Sequence, residues 1–330
     1  MKFIEQIKNN KKVVLPSVLA LFVGIVFLFG NPYTLHIVII GGIYSFLAIG
    51  LNIVTGLCGQ INLGMAGFYA IGSYASALLS AKLGLSFWLS FPLAIVISAV
   101  AGFLIGYPAL KVRGGVYLVL VTTSFASLIQ TIITQWVSLT NGPMGIIGIK
   151  GPSVFGFRIK KLNHWLILVY LLLFVALVIA TRVEKSRIGR SFKAIRESDT
   201  SAQSLGVNIS YYKIVAFVMS AAFGGAGGAL YAHYMTTISP DIYTMSLSVL
   251  ALTMIVIGGV GTIPGSVLGG VIVSVLPEML RFLGSWQLVV WSLITVSAAI
   301  FLKKGLLGAG LDSVQFFKKV FIGSRRDEVL

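Results

Sequence analysis

The sequence predicts an all-α polytopic membrane protein of about ten transmembrane helices, with both termini cytoplasmic. Three observations carry that prediction. Of the 330 residues, 57% are hydrophobic and only 10% are charged, whereas a soluble domain carries about 25% charged residues. A 35.3 kDa chain with a mean hydropathy of +0.97 cannot cover a soluble globule with that much charge, so its solvent is lipid. Apolar runs of the ~20 residues needed to span a bilayer recur along the chain. Its basic residues gather at the ends of those runs, as cytoplasmic retention of Lys and Arg requires.

Taken in order, the start MKFIEQIKNNKK is basic, and an apolar run follows from Val13 to Phe29. The run is long for a signal peptide, lacks an A-x-A-like site, and leads through Asn31-Pro32 into more apolar sequence, so it reads as a first span. Spans are expected at 13–30, 34–55, 61–81, 87–108, 115–137, 162–181, 212–235, 243–260, 264–283 and 285–303. A single transmembrane domain then occupies 1–330, with a cytoplasmic loop at 182–212 and a basic tail at 304–330. With the N-terminus inside, nineteen of the 25 basic residues fall on the cytoplasmic side. The least regular part is 138–161, which keeps Lys150, Arg158, Lys160 and Lys161 outside.

An even span count has a consequence. Spans 2–5 and 7–10 form two inverted four-helix sets, entering the membrane in opposite senses, an arrangement common in transporters. Gly-rich breaks, GLCGQINLG before span 3 and GGVGTIPG before span 9, are expected at corresponding places in the two sets. Glycine is abundant, 37 of 330 residues, against the usual ~7%. GxxxG pairs occur at Gly102-Gly106, Gly224-Gly228 and Gly265-Gly269, and such pairs let helix backbones approach closely.

Several functions are disfavoured. No Asp or Glu occurs between Glu5 and Glu184, whereas ion-coupled carriers hold ionisable groups at membrane depth. Glu278, beside Pro277 near a span end, reads as a snorkelling residue. The single Cys58 excludes an intrachain disulfide and a thiolate cluster. His36, His164 and His233 lie far apart, so no metal site is expected. No GxxxxGK[ST] loop and no nucleophile–base constellation is present, so neither a catalytic residue nor a cofactor bound by this chain is expected. The net charge of +16 would raise the question of nucleic acid on a soluble chain. Here the charges sit at span ends, and the partner they imply is the lipid bilayer.

Polar uncharged residues offer a candidate translocation path. Thr123, Ser127, Gln130 and Thr134 share one helical face. They either line a path or bond to their own helix carbonyls and a neighbouring helix. Gln60 and Asn62 flank the GQINLG break, where they either face a path or cap a helix end.

Residues 182–213 carry seven basic residues against Glu184, Glu197 and Asp199. Ile188, Phe192, Ile195, Ala202 and Leu205 fall on one helical face. Thr200 with Gln203 has capping-box spacing, and Gly206 suits a helix stop. One or two short amphipathic helices with a break near Ser198–Thr200 are expected. The segment reads as a basic connector on anionic lipid, a solvated loop, or a docking element for a cytoplasmic partner.

At this loop the chain resembles a known family. GRSFKAIRESDTSAQSLGVNISYYKIVAFVMSAAFGGAGGALYAHY is similar to the corresponding stretch of LivM-type permeases, membrane subunits of bacterial ATP-driven importers for branched-chain amino acids. GLNIVTGLCGQINLGMAGFYAIGSYASALL, RGGVYLVLVTTSFA, NGPMGI and SPDIYTMSLSVLALTMIVIGGVGTIPGSVLGG extend the likeness over about 40–285. The resemblance implies a non-enzymatic permease of the bacterial plasma membrane, translocating Leu, Ile or Val. It implies a second related permease subunit, two ATP-binding subunits carrying ATP and Mg, and an extracytoplasmic solute-binding protein. The loop is then the ATPase-coupling segment, with Arg190, Ile195, Arg196, Asp199, Ala202 and Gly206 as its candidate residues. Thr200, Ser201 and Ala202 stand where importer coupling loops have E-A-A, with Gly206 at the right spacing. A urea or short-chain amide importer shares these motifs, and a stand-alone channel or carrier is the alternative from another class.

Overall fold

The computed structural model describes residues 30–109, 115–154, 157–159, 161–301 and 305. The expected first span, Lys111, Arg113, Lys160 and the 306–330 part of the tail lie outside the described residues.

Helix α1 runs Pro32–Leu51, with Pro32 in its first turn, where the missing N–H is no loss. It continues as a π turn, Asn52–Leu57, in which Cys58 N–H bonds the Ile53 carbonyl five residues back. Gly59 (φ +73) ends the turn, and α2 follows at Met65–Ala81. Helices α3 (Phe87–Ala109) and α4 (Gly115–Gln135) come next. The irregular 136–161 segment contains a helical turn Val137–Thr140, a 3-10 turn Gly142–Met144 and three two-residue strands, β1 Ile146–Ile147, β2 Ser153–Val154 and β3 Phe157–Arg158. Helix α5 (Leu162–Lys185) leads to α6 (Arg187–Glu197), α7 (Asp199–Ser204) and α8 (Ile209–Met235). Strand β4, Thr237–Ile238, pairs antiparallel with β1, and β2 pairs with β3. Helices α9 (Met245–Gly258), α10 (Ile263–Met279) and α11 (Gln287–Phe301) follow, the last two joined by a 3-10 turn that kinks at Gly284.

Among the described residues, six stretches are long and apolar enough to cross a membrane, with α10, the kinked turn and most of α11 counting as one. Helices α2 and α9 fall short of that length. At ~1.5 Å per residue, the 14 residues of α9 reach about 21 Å, less than the ~30 Å hydrocarbon core. Helices α1 and α8 are buried through most of their length, while α3 and α4 turn one face outward. Leu89, Leu93, Val96, Val100 and Phe103 form that exposed apolar face on α3. Such a face is stable against lipid or another apolar subunit, and would be costly against water.

Small residues set the crossings, as expected where lipid removes the hydrophobic drive between helices. On α8, Gly225 lies against the backbone of Gly72 on α2 and against Ser98 on α3, so a methyl at either glycine would strike backbone or a short side chain. Gly228 faces the Tyr69 carbonyl and Ser73, whose Oγ donates to the Gly228 carbonyl at 2.8 Å. Gly224 meets Met65 and Phe68, and Gly102 of α3 meets Phe217 and Ala221 of α8. Gly265 and Gly269 of α10 pack against Gly258 and Met254 of α9. Helix α1 crosses α10 where Gly270 faces Ser45 and Gly41 faces Val271.

The packing partners follow a pattern. Helix α1 packs on α10 as α8 packs on α3; α2 packs on α3 as α9 packs on α10; and α1 meets α8 directly. In that pairing the break after α1 corresponds to 236–244 and not to 259–262. The two Gly-rich breaks, expected from the sequence to be corresponding positions, are therefore not equivalent; instead they meet each other in space.

The 136–161 segment folds back on the bundle. His233, fully buried on α8, donates from Nδ1 to the Lys150 carbonyl at 2.7 Å and accepts at Nε2 from Ser76 Oγ at 2.8 Å. Trp88 Nε1 donates to the Ser153 carbonyl at 2.8 Å. Glu278 pairs with Arg281 at 3.2 Å at the end of α10.

Candidate coupling site

At the end of α5, Ser186 caps α6, accepting from the Ile188 and Gly189 amides at 3.1 and 3.4 Å. Gly189 allows the sharp joint, because a Cβ there would strike the Glu184 carbonyl. Helix α6 is amphipathic. Phe192 and Ile195 are buried against the bundle, and Phe192 meets the Tyr212 ring edge-on at 6.4 Å. Arg190 stays exposed, its Nη1 on the Lys185 carbonyl at 3.3 Å, and Lys193 pairs with Glu184 at 3.1 Å.

The break falls at Ser198, whose extended backbone and side chain start α7 by accepting from the Ser201 amide. Ser198 is thus the cap where the sequence pointed to a Thr200–Gln203 box, because the chain turns two residues earlier. Asp199, in the first turn of α7, binds Lys213 of α8 at 2.6 Å. The pair gains the favourable interaction of a carboxylate with the helix N-terminus, and it straps α7 to the start of α8. Ala202 is buried beneath it.

Helix α7 ends in a Schellman arrangement. Val207 N–H bonds the Ala202 carbonyl and Gly206 N–H the Gln203 carbonyl, with Gly206 at φ +80 and open space beside it. Leu205 was expected on the buried face but is 80% exposed. The tight stop rotates it out of the helical phase that Ala202 still obeys. The tip of the segment is therefore an exposed leucine beside a bare glycine.

Arg196 is exposed as a residue, but its guanidinium turns towards the bundle. Its Nη1 donates to the Gly56 carbonyl at the end of the π turn, and its stem lies on Gly59. The same Nη1 lies beside Gly261 (φ +86), between α9 and α10. Asn52, fully buried in the π turn, accepts at Oδ1 from Gly261 N–H at 2.7 Å. Its Nδ2 donates to the Thr262 carbonyl and Ser266 Oγ at 2.8 and 2.7 Å. Gly56 leaves room for that amide, since a Cβ would overlap Asn52 Oδ1. Cys58 is buried in this junction, and burial pushes its thiol up to about 12, with Lys213 opposing and Asp199 reinforcing the shift.

The remaining path candidates are dispersed. Asn62 Oδ1 accepts from Gly64 N–H at 2.7 Å just before α2 and leaves Nδ2 buried without a partner. The Gln60 carbonyl accepts from Thr55 Oγ1 at 3.0 Å, and its side chain is half-buried. On α4, Thr123 and Thr134 bond their own helix carbonyls at Val119 and Gln130. Gln130 reaches the Pro240 carbonyl at 3.5 Å, and Ser127 is exposed.

Sequence reasoning overlooked Asn52, Gly261 and Ser266. The available signal was an Asn inside an otherwise apolar span, where an amide needs a partner from another helix.

The geometry defines a multi-pass, all-helical membrane protein with a short helix pair packed on one end of its bundle. Residues 33–302 match the family described as "Branched-chain amino acid transport system / permease component", and the chain belongs to that family. It is 35% identical over 288 residues to the "High-affinity branched-chain amino acid transport system permease protein LivM" of Salmonella typhimurium, covering 80% of this chain and 68% of that protein. It is 34% identical over 297 residues to LivM of Escherichia coli, covering 83% and 70%. The permease protein LivH of Salmonella typhimurium is 32% identical over 256 residues, covering 72% and 82%. No solved structure matches.

Proposed function

We propose that this chain is the membrane-spanning permease subunit of an ATP-driven importer for leucine, isoleucine and valine, residing in the bacterial plasma membrane. Family membership over 33–302 is the observation that carries this reading. Its partners are a second related permease, two ATP-binding subunits that hold ATP and Mg, and an extracytoplasmic solute-binding protein. The chain spans the membrane ten times, with both ends cytoplasmic and spans 2–5 and 7–10 as inverted sets. The reciprocal packing of α1 on α10 and α8 on α3 supports that arrangement.

The segment α6–α7 is the coupling element, with Leu205 and Gly206 forming the tip that enters the ATPase. Ile195 and Ala202 hold the segment on the bundle, and Arg190 stands as an exposed charge near the start of α6. ATP-driven movement of the partner then shifts the helix pair and switches which side the path faces. The outward faces of α3 and α4 meet the second permease or lipid. The polar residues of α4 border the path there.

Reconstitution tests this. Proteoliposomes with the full set of subunits take up labelled leucine only with ATP and binding protein, and the chain alone takes up none. Uptake by the chain alone would instead make it a channel or carrier. ATP-driven uptake of urea or acetamide in place of leucine would reassign the substrate.

A further inference from the structure

Four hydrogen bonds at the loop end of the bundle form one continuous path. Arg196 of α6 holds the Gly56 carbonyl, at the end of the π turn that terminates α1. Four residues earlier in that turn, Asn52 holds Gly261, Thr262 and Ser266. Those residues are the turn before α10 and its first helical turn. The links join positions 140 residues apart in one case and 209 to 214 in the others.

The chemistry suits a permanent joint. A π turn leaves backbone carbonyls with altered partners and is frequently found at functional sites. A guanidinium is a strong donor to such a carbonyl because the bond is charge-assisted. Asn52 uses its acceptor and donor groups as a backbone segment would, and it is fully buried, so losing either link strands polar groups away from water. Gly56, Gly59 and Gly261 remove the side chains that would separate α6 from the two breaks. The breaks belong to opposite halves of the chain, and α1 and α10 pack on each other along their lengths.

We propose that Arg196 and Asn52 are positioning residues that transmit the displacement of α6 to both halves of the bundle at once, through the ends of α1 and α10. The proposal rests on the coupling role given to α6–α7 above. In it, Arg196 serves as the internal end of the relay, facing the bundle, while the Leu205–Gly206 tip faces the partner.

Cys58, the single cysteine of the chain, lies buried in this junction and reports on it. The experiment uses the assembled transporter in proteoliposomes, with Arg196→Ala, Arg196→Lys and Asn52→Ser. It reads maleimide labelling of the Cys58 peptide by mass spectrometry and leucine transported per ATP hydrolysed. Arg196→Ala is expected to raise the Cys58 labelling rate roughly tenfold, the loss of one hydrogen bond to a charged donor. It also lowers leucine per ATP while hydrolysis and subunit association persist. Arg196→Lys, which keeps a donor, restores part of both, and Asn52→Ser reproduces the lowered ratio. A merely structural role would reduce uptake and hydrolysis together and leave their ratio intact, which would overturn the proposal. Loss of ATPase association in Arg196→Ala with Cys58 still protected would overturn it too, by placing Arg196 on the partner surface. A wild-type complex without ATP-driven uptake would refute the importer reading instead. In that case unchanged Cys58 labelling in the Arg196→Ala and Asn52→Ser chains would still refute the joint.

Discussion

Cys58 shows how far a single side chain departs from its ordinary behaviour when the chain closes over it. Its thiol is pushed up to about 12 by burial. It therefore stays protonated at neutral pH, where the thiolate is the reactive form. In the wild-type protein in detergent at pH 8, maleimide is expected to leave Cys58 unmodified over a time that fully labels the unfolded chain. Rapid modification of the folded protein would show that the junction is open. The sign of the linked stability follows from the raised value. The contribution of this group is complete below about pH 9, where the unfolded thiol begins to ionise, and declines as pH rises from there towards 12. Gly206 was readable at this scale, because a helix stop at positive φ is a local demand that glycine meets. The exposure of Leu205 was not. Its periodicity placed it with Ala202, and only the tightness of the turn that follows moved it to the other side.

At the scale of elements, the crossing of α2 and α8 depends on small residues. An added methyl at Gly72 would meet the backbone of Gly225, which cannot yield as a side-chain tip would. Gly72→Ala is therefore expected to destabilise the bundle by about 1–3 kcal/mol, the range for overpacking a tight core. The thermal unfolding midpoint in detergent measures it. Gly151→Ala is the control, since its methyl meets only ordinary contacts at 3.7 and 3.9 Å. A midpoint unaltered by Gly72→Ala would show that the helices separate more easily than this packing requires. The helices themselves were legible in the sequence to within a few residues, because each apolar run is bounded by Gly, Pro or charge. Their lengths were less so. Residues 243–260 read as a full span, yet α9 stops at Gly258, where Gly259 and Gly261 take positive φ and the chain turns back against Asn52.

For the whole molecule, the arrangement is directional. Met144, 82% exposed, lies in the segment after α4, and Leu205 lies after α5, so one long apolar helix separates them. In a Cys58→Ser background, Leu205→Cys is expected to react with a membrane-impermeant maleimide only from the cytoplasmic face. Met144→Cys should react only from the opposite face. Labelling of both from one side of sealed vesicles would reject the orientation derived from the basic residues. The reciprocal packing of α1, α2 and α3 with α8, α9 and α10 also belongs to this scale. No sequence repeat announces it, since lipid-facing and helix-facing positions tolerate many apolar residues, and the pairing rests on backbone approach more than on side-chain identity.

By itself the sequence determined that the chain lives in lipid, that apolar segments recur along it, and that one basic amphipathic segment interrupts them. Those properties follow from composition and from periods of a few residues, which act within a single element. The tertiary structure alone decided that Arg196 turns inward to Gly56, that Asn52 joins α1 to α10, and that the two Gly-rich breaks meet without being equivalent. Each of these depends on residues 140 or more positions apart becoming neighbours. A buried amide such as that of Asn52 must find a partner somewhere, but only the folded bundle determines which groups it, or the guanidinium of Arg196, can reach.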